Sequence, residues 1–222
     1  MMTNLERAPK SLIPTARQKT VRSAFGFRNR GLLGALLLGP VAVGVLFSEP
    51  TMVEDSFSAL ALNAASWMFF LLYVAMRIWS TLFIGGHKDK VLTMEGPYSV
   101  CRNPLYCGSF FFALSLACIL KSFTFGIATL AAAFIYLQWV VRSEEHFLKL
   151  HFGEDFSKYC QRTPRFWPRW SAHFSPTHVK VDVTRLKKEC IRLGRAALIP
   201  LTLQALMQLR IAPWWPHWTT IP

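Results

Sequence analysis

Four uncharged apolar windows constrain this chain more than any other feature. Residues 31–47, 57–76, 104–120 and 122–141 are 17, 20, 17 and 20 residues long and contain no Asp, Glu, Lys or Arg. A hydrocarbon core about 30 Å thick takes about 20 apolar residues as a helix, with about 17 as the lower bound. Four such windows in 222 residues leave too little polar surface for four buried helices of a soluble globule. The expected fold is all-α, a polytopic membrane protein with about four transmembrane helices.

The charges agree with that reading. Mean hydropathy is positive, +0.29, yet the net charge is +13. Only 17% of residues are charged, against about 25% in an ordinary soluble domain. This combination argues against a secreted disulfide scaffold, a disordered tail and a standard cytosolic enzyme. The five cysteines are odd in number, scattered, and form no C-x-x-C. They read as small apolar residues, not as a zinc ribbon or a redox dithiol, and the histidines show no metal-ligand spacing. No metal is expected.

Loop composition sets the orientation. Seven Lys/Arg precede the first window, four lie in residues 77–103 and thirteen follow residue 141, so 24 of 25 would share one face. The loop at 48–56 carries only acids, Glu49, Glu54 and Asp55. The positive-inside rule assigns the basic face, and with it both termini, to the cytoplasm. The chain then divides into a basic amino-terminal tail over 1–30, a membrane core over 31–170 and a basic carboxyl-terminal extension over 171–222. The tail lacks the layout of a signal peptide and is expected to lie near anionic lipid. Arg77, about 30 Å along a helix from Phe57, either snorkels to the inner interface or lines a polar cavity.

Beyond the fourth window, residues 142–158 read as a helix leaving the membrane, with a break near Gly153. Pro164 and Pro168 exclude a regular helix over 163–170. Val179, Val183, Leu186, Cys190, Leu193 and Ala197 then mark one face of a basic amphipathic helix. Such a helix is expected to lie on the membrane surface. Residues 196–209 are apolar but short and contain Pro200, so they read as interfacial or re-entrant, not as a fifth span.

Two stretches can carry chemistry. In the first, Gly96-Pro97-Tyr98 is followed by Arg102-Asn103-Pro104-Leu105-Tyr106 and Gly108. A stiffened polar loop feeds a helix start there, where unpaired N–H donors and a partial positive charge collect, and Arg102 adds a five-donor fork. In the second, Glu144 and Glu145 stand at the inner end of the fourth window. Taken singly, each stretch also fits an interfacial turn with a snorkelling arginine, or a solvated helix face. Together they imply a pocket on the cytoplasmic side. No phosphate-cradling glycine loop, Rossmann fingerprint or nucleic-acid-binding pattern accompanies them.

The first stretch resembles the G-P-Y/F…R-[HN]-P-x-Y-x-G signature of the integral membrane methyltransferases, the group of isoprenylcysteine carboxyl methyltransferases and phospholipid methyltransferases. Glu144-Glu145, Leu148, Phe152-Gly153, Phe156, Tyr159, Pro164-Arg165 and Pro168 resemble the E-E-x-x-L…F-G…Y…P-R…P tail of that family. The resemblance covers about residues 85–168, with Gly85 and Gly86 at the place of a glycine-containing segment. It implies S-adenosylmethionine bound at the cytoplasmic face, held by Tyr98, Arg102, Asn103, Pro104 and Tyr106 from one side and by Glu144 and Glu145 from the other. Arg102, Glu144 and Glu145 are the implied catalytic residues, in a cytoplasmic catalytic helical tail. The acceptor would be lipophilic and enter from the bilayer: an isoprenoid or prenylcysteine-like carboxylate, or a lipid amine. Asn103 stands where prenylcysteine enzymes usually carry His. Competing readings are an NADPH-dependent membrane reductase, whose tail is related, and a non-enzymatic lipid-binding membrane protein. No obligate protein partner is implied.

Overall fold

The computed structural model describes residue 36 and residues 39–41, 43–49, 56–84 and 91–218. The basic tail over 1–30, most of the acidic loop, Gly85, Gly86, Lys88 and Lys90 lie outside the described residues. So does part of the first window, whose described residues 39–41 and 43–46 are helical.

The elements that follow are α1 (Phe57–Ile84), α2 (Pro97–Val100), α3 (Pro104–Leu120), α4 (Phe123–Phe152), α5 (Glu154–Arg162), a single 3-10 turn (Trp170–Ala172) and α6 (Val183–Leu209). No β-strand occurs among the described residues. Helices α1, α4 and α6 are long and apolar enough to cross a membrane, and α3 is a shorter apolar helix.

Local chemistry explains the boundaries. Asn103 is the N-cap of α3 with Pro104 in its first turn, where proline's missing N–H is no loss. A two-residue turn, Lys121–Ser122, joins α3 to α4. Gly153 ends α4 and begins α5 at φ +56°, ψ −119°, a conformation open in practice to glycine alone. Helix α4 thus runs from its apolar window straight out to Glu144, Glu145 and Phe152, as the sequence predicts.

Helix α6 differs from expectation. The predicted surface helix and the predicted interfacial segment are one continuous 27-residue helix through Pro200. Its inward stripe is Glu189, Leu193, Pro200 and Met207, whereas Val183 and Cys190 of the expected face are exposed. Glu189 is drawn in by Arg77 of α1, whose Nε donates to Glu189 Oε1 at 2.7 Å. Leu193 packs with Phe70 and Tyr73 of α1, beside Phe111 and Phe112 of α3. Trp67 Nε1 donates to Gln204 Oε1 at 3.3 Å. Met207 joins Val45, Ile119, Leu120 and Phe125. Helix α6 therefore runs antiparallel to α1 along the bundle. Arg77 takes up neither sequence reading alone: it is an interhelical ion-pair partner.

This path carries residues 210–218 to the end of the bundle that holds the α3–α4 turn. There Arg210 Nε donates to the Ser48 carbonyl at 2.7 Å and its Nη2 donates to Ser48 Oγ at 2.9 Å. Trp215 Nε1 donates to the Leu46 carbonyl at 2.7 Å, and Trp218 stacks on Phe47 at 4.1 Å. Arg102, Asn103, Glu144 and Glu145 lie at the other end, under the irregular segment 163–176.

Candidate active site

The site is built where three chain segments meet: the α2–α3 link, the emergent end of α4, and α5 with the segment after it. Backbone bonds lock the first against the third. Arg102 N donates to the Pro164 carbonyl at 2.9 Å, Arg169 N to Val100 at 3.0 Å and Gly96 N to Phe174 at 2.7 Å. Gly96 sits at φ +58°, and a Cβ there would come within 2.5 Å of the Phe83 ring. Only glycine fits this entry to α2. Tyr159 of α5 adds a hydroxyl bond to the Tyr98 carbonyl at 2.6 Å.

The two glutamates have different surroundings, as expected for neighbours about 100° apart on a helix. Glu145 is buried and fully engaged. Asn103 Nδ2 donates to its Oε1 at 3.0 Å. Arg165 donates to its Oε2 through Nε at 3.0 Å and Nη2 at 2.5 Å. Arg102 Nη1 lies 3.6 Å away. Glu145 therefore fastens α4 to both other segments, and its charge is matched by two arginines. Glu144 is half-buried, accepts the hydroxyl of Tyr106, and lines the cleft.

That cleft encloses about 710 Å³, including its open mouth. Ile84, Leu105, Leu148 and Phe152 are among its apolar lining residues, and Tyr98, Arg102, Tyr106 and Glu144 among its polar ones. Two buried polar atoms among these have no partner: the Tyr98 hydroxyl and the Arg102 Nε. Buried polar atoms are almost always hydrogen-bonded, and these two are exceptions, as are Asn63 Oδ1, Ser80 Oγ and Ser115 Oγ in the helices. Burial, and then the negative charge of Glu144, hold the Tyr98 hydroxyl well above its ordinary pKa. It stays a neutral donor. Burial likewise raises Tyr159.

All seven residues expected at the site from the sequence, Tyr98, Arg102, Asn103, Pro104, Tyr106, Glu144 and Glu145, are gathered at this cleft. They divide by role. Tyr98, Arg102, Tyr106 and Glu144 line the cleft, with the Tyr98 hydroxyl and Arg102 Nε themselves buried. Asn103 and Glu145 are mutually bonded, and Pro104 starts α3. Sequence reasoning did not place Arg165, Tyr159 or Cys160 at the site. Arg165 closes the Glu145 cluster, and Cys160 accepts from Arg102 Nη1. The P-R pair in the tail motif was the available signal for Arg165. Nothing in the spacing marks Cys160.

The phospholipid methyltransferase family matches residues 53–155. The chain is 29% identical over 213 residues to the nickel-cobalt-cadmium resistance protein of Alcaligenes xylosoxydans xylosoxydans, covering 96% of this chain and 99% of that relative. It is 36% identical over 113 residues to the cobalt-zinc-cadmium resistance protein of Cupriavidus metallidurans, covering 50% and 51%. It is 27% identical over 78 residues to the protein-S-isoprenylcysteine O-methyltransferase of Schizosaccharomyces pombe, covering 35% and 33%. No solved structure matches significantly.

Proposed function

We propose that this chain, which belongs through residues 53–155 to the phospholipid methyltransferase family of membrane methyltransferases, transfers a methyl group from S-adenosylmethionine to a lipophilic acceptor. It is an integral membrane protein with several apolar helices. The observation that carries the reading is the gathering of Tyr98, Arg102, Tyr106 and Glu144 in the lining of one cleft.

The donor set fits that cofactor. Tyr98 and Arg102 supply donors for a carboxylate, and the Glu144 carboxylate suits an ammonium or ribose hydroxyls. The faces of Tyr98 and Tyr106 suit a sulfonium. S-adenosylmethionine supplies an already activated methyl group. The chain's part is to align donor and acceptor and to exclude water. Glu145 acts through others: it holds Asn103, Arg102 and Arg165 in place and is a positioning residue. The apolar side chains in the lining suit a lipophilic acceptor, whose reacting group is a carboxylate, as in isoprenoid or prenylcysteine-like acids, or a lipid amine. The basic loops favour the cytoplasm for the site end of the bundle. The segment over 210–218 then falls on the other side.

The similarity to the nickel-cobalt-cadmium and cobalt-zinc-cadmium resistance proteins supports placing this activity in tolerance of divalent heavy metals.

The test is incubation of detergent-purified protein with methyl-labelled S-adenosylmethionine and a membrane lipid extract. Label in a lipid-extractable product supports the reading. Cofactor binding with no transfer to any extract contradicts the acceptor class, and absence of cofactor binding contradicts the enzyme.

A further inference from the structure

The irregular segment that crosses the site end of the bundle is held by its backbone and shows its rings to the outside. Trp167 is 88% exposed, Trp170 63% and Phe174 61%. The main chain between them is bonded inward. Arg169 N donates to the Val100 carbonyl at 3.0 Å, Phe174 N donates to Ser99 Oγ at 2.9 Å, and the Phe174 carbonyl accepts from Gly96 N at 2.7 Å. Three large rings on one anchored segment form an apolar patch that calls for a cover.

Two observations identify the cover. The first is depth. Trp170 stacks on Trp79 of α1, with ring centroids 6.2 Å apart and planes within 5°. Trp79 stands three residues beyond the uncharged window over 57–76 of a helix long enough to cross a membrane. That is the level at which hydrocarbon gives way to headgroups, where tryptophan collects. The second is charge. Between 163 and 188 six Lys/Arg stand against one acid, Asp182. Asp182 is taken up as the N-cap of α6 and pairs with Arg185, and Arg165 is taken up by Glu145. Arg169, Lys180, Lys187 and Lys188 are left exposed. A zwitterionic surface would answer the rings alone. An acidic soluble protein would answer the charges, but Trp170 lies against the side of a membrane helix. An anionic leaflet answers both.

We propose that residues 167–188 are a docking surface for an anionic bilayer leaflet. Trp167, Trp170 and Phe174 enter the boundary between headgroups and acyl chains, and Arg169, Lys180, Lys187 and Lys188 meet the lipid anions. The segment also bonds Gly96 and Val100, and its neighbour Pro164 accepts from Arg102 N at 2.9 Å. Docking therefore steadies the link that carries Tyr98 and Arg102. The surface rests on exposure, depth and charge and does not depend on the methyl-transfer reading.

The test is amide hydrogen exchange, read by mass spectrometry, on the full-length protein in two kinds of lipid nanodisc. One is phosphatidylcholine alone and the other an equal mixture of phosphatidylcholine and phosphatidylglycerol. Exchange over 164–182 and over 96–102 should be about fivefold slower or more in the anionic discs, the effect of at least one basic residue brought to an anionic surface. Added salt should remove the difference. Lys180→Glu, Lys187→Glu and Lys188→Glu combined should abolish it, with exchange within α1 and α3 reporting that the bundle is intact. Equal exchange of the native protein in the two discs would overturn the proposal, as would a difference that survives in the folded charge-reversal variant. Slowing by soluble polyglutamate, with none from the anionic lipid, would assign the surface to an acidic protein and overturn it as well.

Discussion

At the scale of single residues, the neighbouring glutamates should separate two functions that sequence alone assigns jointly. Glu145 holds Asn103 and Arg165 in hydrogen bonds and has Arg102 beside it. Glu145→Gln keeps the shape but leaves two arginines without their counter-charge. A hydrogen bond to a charged group contributes about 1.5–3 kcal/mol. We expect a loss of that order in unfolding free energy, read by thermal or denaturant unfolding in detergent. Glu144→Gln keeps an oxygen acceptor for the Tyr106 hydroxyl and strands no arginine, so it should cost less stability than Glu145→Gln and reduce cofactor affinity instead. Equal effects of both variants on stability would remove the distinction. The site was legible because Arg102, Asn103 and Tyr106 cluster at one helix start and Glu144-Glu145 at one helix end, so two short motifs carried it. The division of labour between the glutamates was not legible. It is set by Arg165, which reaches Glu145 from beyond a helix break.

At the scale of elements, α6 is held to α1 by a charge pair within an apolar contact. Glu189 is 5% exposed and bonds both Arg77 and Arg192. Removing one partner of a buried pair leaves the other charge unmatched, whereas removing both is far milder. Arg77→Ala leaves Glu189 with Arg192 alone, so Arg77→Ala combined with Arg192→Ala should destabilise the α1–α6 contact more than either change alone. A double-mutant cycle on thermal unfolding measures the coupling, and strict additivity would contradict the pairing. The glycines at element junctions make a second test. Gly96→Ala meets both a positive φ and the Phe83 ring, and should cost on the order of 1–3 kcal/mol. Gly153→Ala meets the backbone strain alone, since nothing lies within 4 Å of its new Cβ. It should cost about 1–2 kcal/mol. The reverse order in unfolding experiments would contradict the packing of α2. Helices α3 and α4 were legible because uncharged windows and a single polar turn define them. The fusion of α6 was not. Apolar periodicity cannot count an inward-facing glutamate, and Pro200 within an apolar run reads as a break although the helix continues through it.

At the scale of the whole molecule, the path of α6 decides where the carboxyl-terminal segment lies. Arg210 and Trp218 contact Ser48 and Phe47, at the end away from Arg102 and Glu145. The sequence reading keeps this segment on the basic face because it takes residues 196–209 as interfacial, whereas the continuous α6 carries Arg210 to the opposite end of the bundle. The Arg210 guanidinium is buried and bonded to main-chain carbonyls, so it is not a free loop charge of the kind the positive-inside rule counts. In sealed vesicles of known orientation, impermeant thiol reagents should reach Trp214→Cys and Ser157→Cys from opposite sides. Labelling of both from one side would contradict the antiparallel α6.

The central claim is that Tyr98, Arg102 and Glu144 form one pocket for S-adenosylmethionine, and isothermal calorimetry on the detergent-purified chain tests it most directly. The native protein should bind the cofactor, and Arg102→Ala should weaken binding roughly 10- to 150-fold, the equivalent of a lost charged hydrogen bond of about 1.5–3 kcal/mol. Glu144→Gln should weaken it in the same direction with helicity unchanged. Near-native affinity in both folded variants would mean that the cleft between α3 and α4 is an interfacial turn and not a cofactor site.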